Sequence, residues 1–125
     1  MPDSRDPYDF LPLRPVEFEI LLVLTGADAH GYGIIKEAQA RVPGKSRMDT
    51  GTLYRTLARL TGSGLVEPSD QRPAPDLDDE RRRYYAITAF GRDVAGAEAR
   101  RLAAQLKEAV ALDLLTGLDP KEERA

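Results

Sequence analysis

A mainly helical α+β fold, with three short helices, a two-stranded wing and one long final helix, is predicted by three observations. Gly51 to Leu60 places Leu53, Leu57 and Leu60 on one helical face, with Thr52, Arg55, Thr56 and Arg59 on the other. Leu65-Val66-Glu67 reads as a short strand, and the alternating segment Arg82 to Thr88 pairs with it as an antiparallel hairpin. After Thr88 an apolar stripe runs at helical spacing for about 28 residues, roughly 42 Å of helix. Helix, helix, helix, strand, loop, strand and long helix is the order of a winged helix-turn-helix with a C-terminal dimerisation helix.

The elements follow in order. Residues 1–12 carry Pro2, Pro7 and Pro12 and are expected to form an extended arm. Pro15 suits the first turn of a helix, and Val16, Ile20, Val23 and Leu24 then recur at helical spacing, with Phe18 and Leu21 widening the face, to about Gly26. Gly31 and Gly33 bracket Tyr32 at the start of a second helix burying Ile34, Ile35, Ala38 and Val42, which Pro43-Gly44 stops. Asp49 is the expected N-cap of the third helix, its carboxylate accepting from free backbone N–H groups at the positive end of the helix dipole. Gly62-Ser63-Gly64 turns the chain into the first strand, and Ser69 to Glu80, rich in Pro and Asp, reads as the wing loop. Thr88 caps the last helix, expected to reach about Thr116 before Gly117. The domain boundaries are an arm at 1–12, a winged helix-turn-helix DNA-binding domain at 13–88, a dimerisation helix at 89–116 and a tail at 117–125.

At 125 residues the chain accommodates one domain. Its longest aliphatic run, Ile20 to Leu24, is far too short to span a bilayer. The N-terminus lacks a basic-then-apolar block, so no secretory signal is expected. There are no cysteines, which excludes disulfides and thiolate metal sites and fits a cytoplasmic location.

The net charge is −3, an unpromising total for a nucleic-acid binder, but the charge is unevenly spread. Lys36, Arg41, Lys45, Arg47, Arg55 and Arg59 against Glu37 and Asp49 make residues 36–60 net +4, leaving −7 elsewhere. Because salt screens charges beyond about 8–10 Å, the local balance governs attraction to phosphate. Arg55 and Arg59, four apart on one face, are expected to reach one groove of duplex DNA, arginine to guanine being the commonest specific base contact. Thr52 and Thr56 are placed to touch bases or phosphates, and Tyr54 either donates to a phosphate or packs its ring on the second helix. Lys45 and Arg47 add phosphate contacts. A helix as long as the last one outreaches its own core, so its stripe Ala95, Ala99, Leu102, Leu106, Ala109 and Val110 needs a partner, and a homodimer supplies one.

Three blocks resemble the PadR family of bacterial transcriptional regulators: His30-Gly31-Tyr32-Gly33-Ile34, Gly51-Thr52-Leu53-Tyr54 with Arg59-Leu60, and Arg83-Tyr84-Tyr85-Ala86-Ile87-Thr88 leading to Gly91. Their order and spacing are similar to the family's over about residues 13 to 116, and the single C-terminal helix resembles its shorter branch. The resemblance implies a dimer formed by the last helix with the first, which adds Val16 and Ile20 to the dimer face. It also implies ligand-responsive repression at a pseudo-palindromic operator. Thr50 stands where the family commonly has a proline, and Asp49 still supplies a cap. The wing loop holds Asp70, Asp76, Asp78, Asp79 and Glu80 against Arg72, so its tip is expected to be repelled by phosphate. Arg81, Arg82 and Arg83, at the base of the second strand, are the expected phosphate contacts of the wing.

His30, the only histidine, cannot build a metal site alone and is expected to cap or flank the second helix. Asp78, Asp79 and Glu80 lack the spaced oxygen ligands of a cation loop. No metal and no cofactor are expected. Tyr8, Phe10 and Phe18 are candidates to line a pocket for a small apolar or aromatic effector, the alternative being core or arm-docking roles. No nucleophile–base pair or phosphate loop suggests an enzyme. The expected function is a homodimeric, sequence-specific DNA-binding repressor. The alternative is a non-catalytic winged-helix module that binds protein.

Overall fold

A computed structural model of the chain describes residues 3–41, 48–70 and 83–116. Helix α1 spans Pro15–Gly26, strand β1 Ala29–His30, helix α2 Gly31–Arg41 and helix α3 Thr50–Gly62. Strands β2 (Val66–Ser69) and β3 (Tyr84–Ile87) form the wing, and helix α4 runs over Ala89–Ala111. Among the described residues no helix is long and apolar enough to cross a membrane.

The expected hairpin is part of a three-stranded antiparallel sheet in the order β1-β3-β2. Val66 pairs with Ile87 and Ser69 with Tyr84, while His30 pairs with Tyr84 from the other side. Strand β1 was not foreseen, because two residues carry no periodicity. Ser69, expected in the loop, is the last residue of β2, and its hydroxyl donates to the Asp28 carboxylate just before β1. Most of the wing loop, with Arg72, Asp76, Asp78, Asp79, Glu80, Arg81 and Arg82, lies outside the described residues, as do Val42, Lys45, Arg47 and the tail. Asp70 is described and exposed.

The helices pack around Ile20, Leu21, Leu24, Ile34, Leu53, Leu57, Leu60 and Val94. Helices α3 and α4 end by the same device. At the end of α3, Leu65 N donates to Leu60 O at 3.0 Å and Gly64 N to Thr61 O at 3.1 Å. This is a Schellman cap, with Gly64 at φ +80° in the left-handed position it requires. At the end of α4, Leu114 N donates to Ala109 O at 2.9 Å and Asp113 N to Val110 O at 3.0 Å, with Asp113 at φ 63°. The last helix therefore stops five residues before the expected Thr116. An aspartate in place of the usual glycine hid that stop.

The arm is not extended. Pro7–Phe10 form a 3-10 turn capped by Asp6, and Phe10 meets Phe90 of α4 edge-on, centroids 5.4 Å apart. Arg5 lies over the Phe90 ring at 4.3 Å and donates to Ser63 O at 2.6 Å. Its guanidinium thus sits at the C-terminal end of α3, bonded to the carbonyl of the capping Ser63, where the helix dipole is negative.

Candidate nucleic-acid interface

Helix α3 starts at Asp49, whose carboxylate accepts from Thr52 N at 2.7 Å. That bond holds the carboxyl below its ordinary pKa, helped by the nearby Arg55 charge. Asp49→Ala should lower the thermal unfolding midpoint, and Asp49→Asn should recover most of the loss, because asparagine caps equally well. Equal midpoints for all three proteins, read by circular dichroism, would remove the cap from the stability of α3.

The exposed surface of α3 divides into three tracks. Gly51, Arg55, Ala58 and Gly62 point straight outward, and of these Arg55 is the only long side chain. A Cβ on Gly62 would meet nothing within 4 Å. Tyr54 lies on the α2 side, half exposed, with its ring over Gly31, where any Cβ would collide with the Tyr54 hydroxyl. Ring packing on α2 and an exposed face therefore coexist. Arg59 lies on the α1 side, where its Nε donates to the Glu17 carboxylate at 3.1 Å.

Thr56 departs from expectation. It is only 3% exposed, and its hydroxyl donates to Thr52 O at 2.7 Å. The packing of α1 across this side of α3 covers it, and satisfaction by its own helix makes that burial cheap. Thr52 is half-buried and takes a long 3.4 Å contact from Arg55. Arg83 is exposed just before β3. Tyr32, 62% exposed on α2 with the Lys36 ammonium 5.6 Å from its ring, escaped the sequence reading. An aromatic between two glycines was legible there only as a helix start.

His30 caps α2 as expected, its Nδ1 accepting from Gly33 N at 3.1 Å. Its ring also meets Tyr84 edge-on at 5.2 Å. No group of three His, Asp or Glu among the described residues is placed to hold a metal ion.

The proposed dimer face is split. Ile20 and Ala95 are buried in the core of the chain itself, because α4 lies against α1 along its first turns. Val16 is partly buried against the same core. Beyond Glu98 the helix leaves the core: Ala99, Leu102, Leu106 and Val110 are exposed, Leu106 and Val110 by 55% and 56%, while Ala109 is half-buried.

The aromatic residues expected to share a pocket do not come together. Tyr8 is exposed beside Arg100, whose Nε donates to its hydroxyl at 3.2 Å, and Phe10 packs on Phe90. Phe18 alone lines a cleft of about 490 Å³ between α1 and α4, with Leu13, Pro15, Leu22 and Leu102. Glu19, Glu98 and Arg101 supply its charged edge. Glu98, which sequence reasoning missed, is 2% exposed and accepts from Leu13 N at 3.0 Å and from Arg101.

A family model described as the PadR-like family of transcriptional regulators matches residues 20–97, from the middle of α1 through the wing into α4. The chain belongs to this family. As a PadR-like protein it shares its winged-helix fold with the PadR family transcription regulator of Clostridium difficile, at a TM-score of 0.62 and 23% identity over 78% of this chain and 96% of that one. The structure of H. salinarum RosR is 30% identical, with a TM-score of 0.59, over 82% of this chain and 83% of that one. Among curated proteins, a 37.1 kDa protein in transposon TN4556 of Streptomyces fradiae is 32% identical over 103 residues. That match takes 80% of this chain but spans only 27% of the relative.

Proposed function

We propose that this PadR-like protein is a DNA-binding repressor that acts as a homodimer on a pseudo-palindromic operator. The outward track of α3 carries the reading. With glycine or alanine at three of its four positions, the helix backbone can approach the floor of a major groove, and Arg55 is left to reach a base edge. Tyr54 and Arg59 on the flanking tracks face the two groove walls, with Thr52 between Arg55 and α1. Arg83 at the wing base, with Lys45, Arg47 and Arg82, supplies positive charge for phosphates. The exposed row Leu102, Leu106 and Val110, with Ala99 and Ala109, meets its copy and pairs the two recognition helices.

The cleft beside Phe18 is the candidate effector site. It is mainly apolar, and Leu22 and Leu102 place it against the proposed dimer face, where a bound molecule would alter helix spacing.

The test is a mobility shift over a salt series with the DNA upstream of the protein's own gene. A specific complex of two protomers, weakening steeply with salt, supports the reading. Binding that ignores salt, or no complex with promoter or genomic DNA, overturns it. Arg55→Ala should weaken operator binding by about 1–3 kcal/mol and relax sequence preference at one base pair in each half-site. An equal loss on random DNA would instead make Arg55 a phosphate contact.

A further inference from the structure

Arg59 is not an open cation. Its Nε is held at 3.1 Å by Glu17 Oε2, while Glu17 Oε1 accepts from Arg14 N at 2.8 Å. The Glu17 side chain is only 13% exposed against 42% for Arg59, so the anchor is the better shielded partner. One carboxylate thus closes the first turn of α1 and occupies the arginine on the adjacent track of α3. Glu19 borders the same α1–α3 cleft as Arg14, Thr52 and Arg59, and the four charges in and beside it (Arg14, Glu17, Glu19 and Arg59) cancel.

We propose that Glu17 is the internal counter-ion that holds Arg59 off non-specific DNA: it keeps the guanidinium on DNA that α3 does not fit and gives it up only when α3 is fully inserted. This rests on the DNA-binding reading above. Non-specific binding is driven by counterion release, and a guanidinium already neutralised by a carboxylate contributes little to it. A partly exposed ion pair is weak enough to be exchanged when a groove wall is brought against this flank. On the operator, the insertion of Arg55 supplies that approach. On random DNA the protein rides higher, and Arg59 stays with Glu17. The negative total charge of the chain works in the same direction.

Glu17→Gln separates the two duties of this residue, because the amide oxygen still accepts from Arg14 N while the charge is lost. Salt series on operator and on random-sequence duplex are compared for the wild type, E17Q, R59A and the double variant. On random DNA, E17Q should steepen the slope of log K against log salt by about 0.9, the increment for one phosphate contact, and bind about threefold tighter at low salt. R59A should leave the random-DNA slope at the wild-type value but weaken the operator complex. The double variant should return to the R59A slope, while on the operator R59A should bind more weakly and E17Q at least as tightly as the wild type, since no ion pair has to be broken. An unchanged E17Q slope on random DNA, or weaker binding of E17Q to both duplexes, would overturn the proposal. The second result would make Glu17 a simple support for Arg59. Wild-type protein that binds no duplex at all would overturn the DNA-binding reading itself, a result distinct from either.

Discussion

Gly91→Ala is expected to lower the unfolding free energy by about 3 kcal/mol, because overpacking against a fixed backbone cannot relax. Gly91 sits in the first turn of α4, where an added Cβ would strike the carbonyl oxygen of Leu65 and come within 2.8 Å of Ile87 Cγ1. That carbonyl is held in place, since it accepts from Thr88 N at 3.0 Å. Thr88 also donates its hydroxyl to Gly64 O at 2.6 Å and caps α4 by accepting from Gly91 N at 2.9 Å. The end of α3, the start of β2 and the start of α4 are thus bonded at one point, and relief by backbone movement would break the knot. In a domain with a total stability of about 5–15 kcal/mol this is a large fraction. Urea unfolding of the variant should show a lower midpoint with an unchanged slope. A midpoint within error of the wild type would mean that α4 can shift away from β2.

Glu98→Ala is expected to cost about 2–3 kcal/mol, because it orphans the buried Leu13 N–H and deprives Arg101 of its partner. Glu98→Gln should cost less, since its amide oxygen still accepts from Leu13 N. The Arg101 hydrogen bonds, opposed by burial and aided by the Leu13 N–H, hold the Glu98 carboxyl below its ordinary value of 4.5. A depressed folded-state pKa stabilises the fold when the group is ionised. The contribution is therefore complete above about pH 4.5, the unfolded value, and is lost as the pH falls through the folded one. The stability gap between wild type and E98Q should accordingly be constant near neutrality and close in acid. A gap that stays constant from neutrality through the acid range would show that the amide fails for steric reasons instead.

What the chain disclosed in advance was whatever depends on neighbours along it. The leucine spacing from Leu53 to Leu60 marked α3, Asp49 and Thr88 announced their caps, and the alternation before Thr88 announced β3. The family blocks were legible for the same reason, and Gly31 and Gly91 now have steric explanations in Tyr54 and Leu65. Local pattern and structure part where a residue's surroundings come from afar. The prolines of the arm predict an extended segment, yet Arg5 finds its partners at Ser63 and Phe90. Thr56 sits where a helical wheel leaves it on the polar side, and α1 covers it.

Sequence by itself determined the helices, the wing, their order and the basic character of the segment around α3, because these follow from periodicity, caps and local charge. Tertiary structure alone decided which of two arginines is paired with Glu17. Arg55 and Arg59 are equivalent on a helical wheel, but Glu17, 42 residues away, binds only the second. It likewise decided that Ile20 and Ala95 belong to the core while Leu102, Leu106 and Val110 do not. Burial and pairing depend on which element lies alongside, and packing sets that at distances the local pattern does not encode.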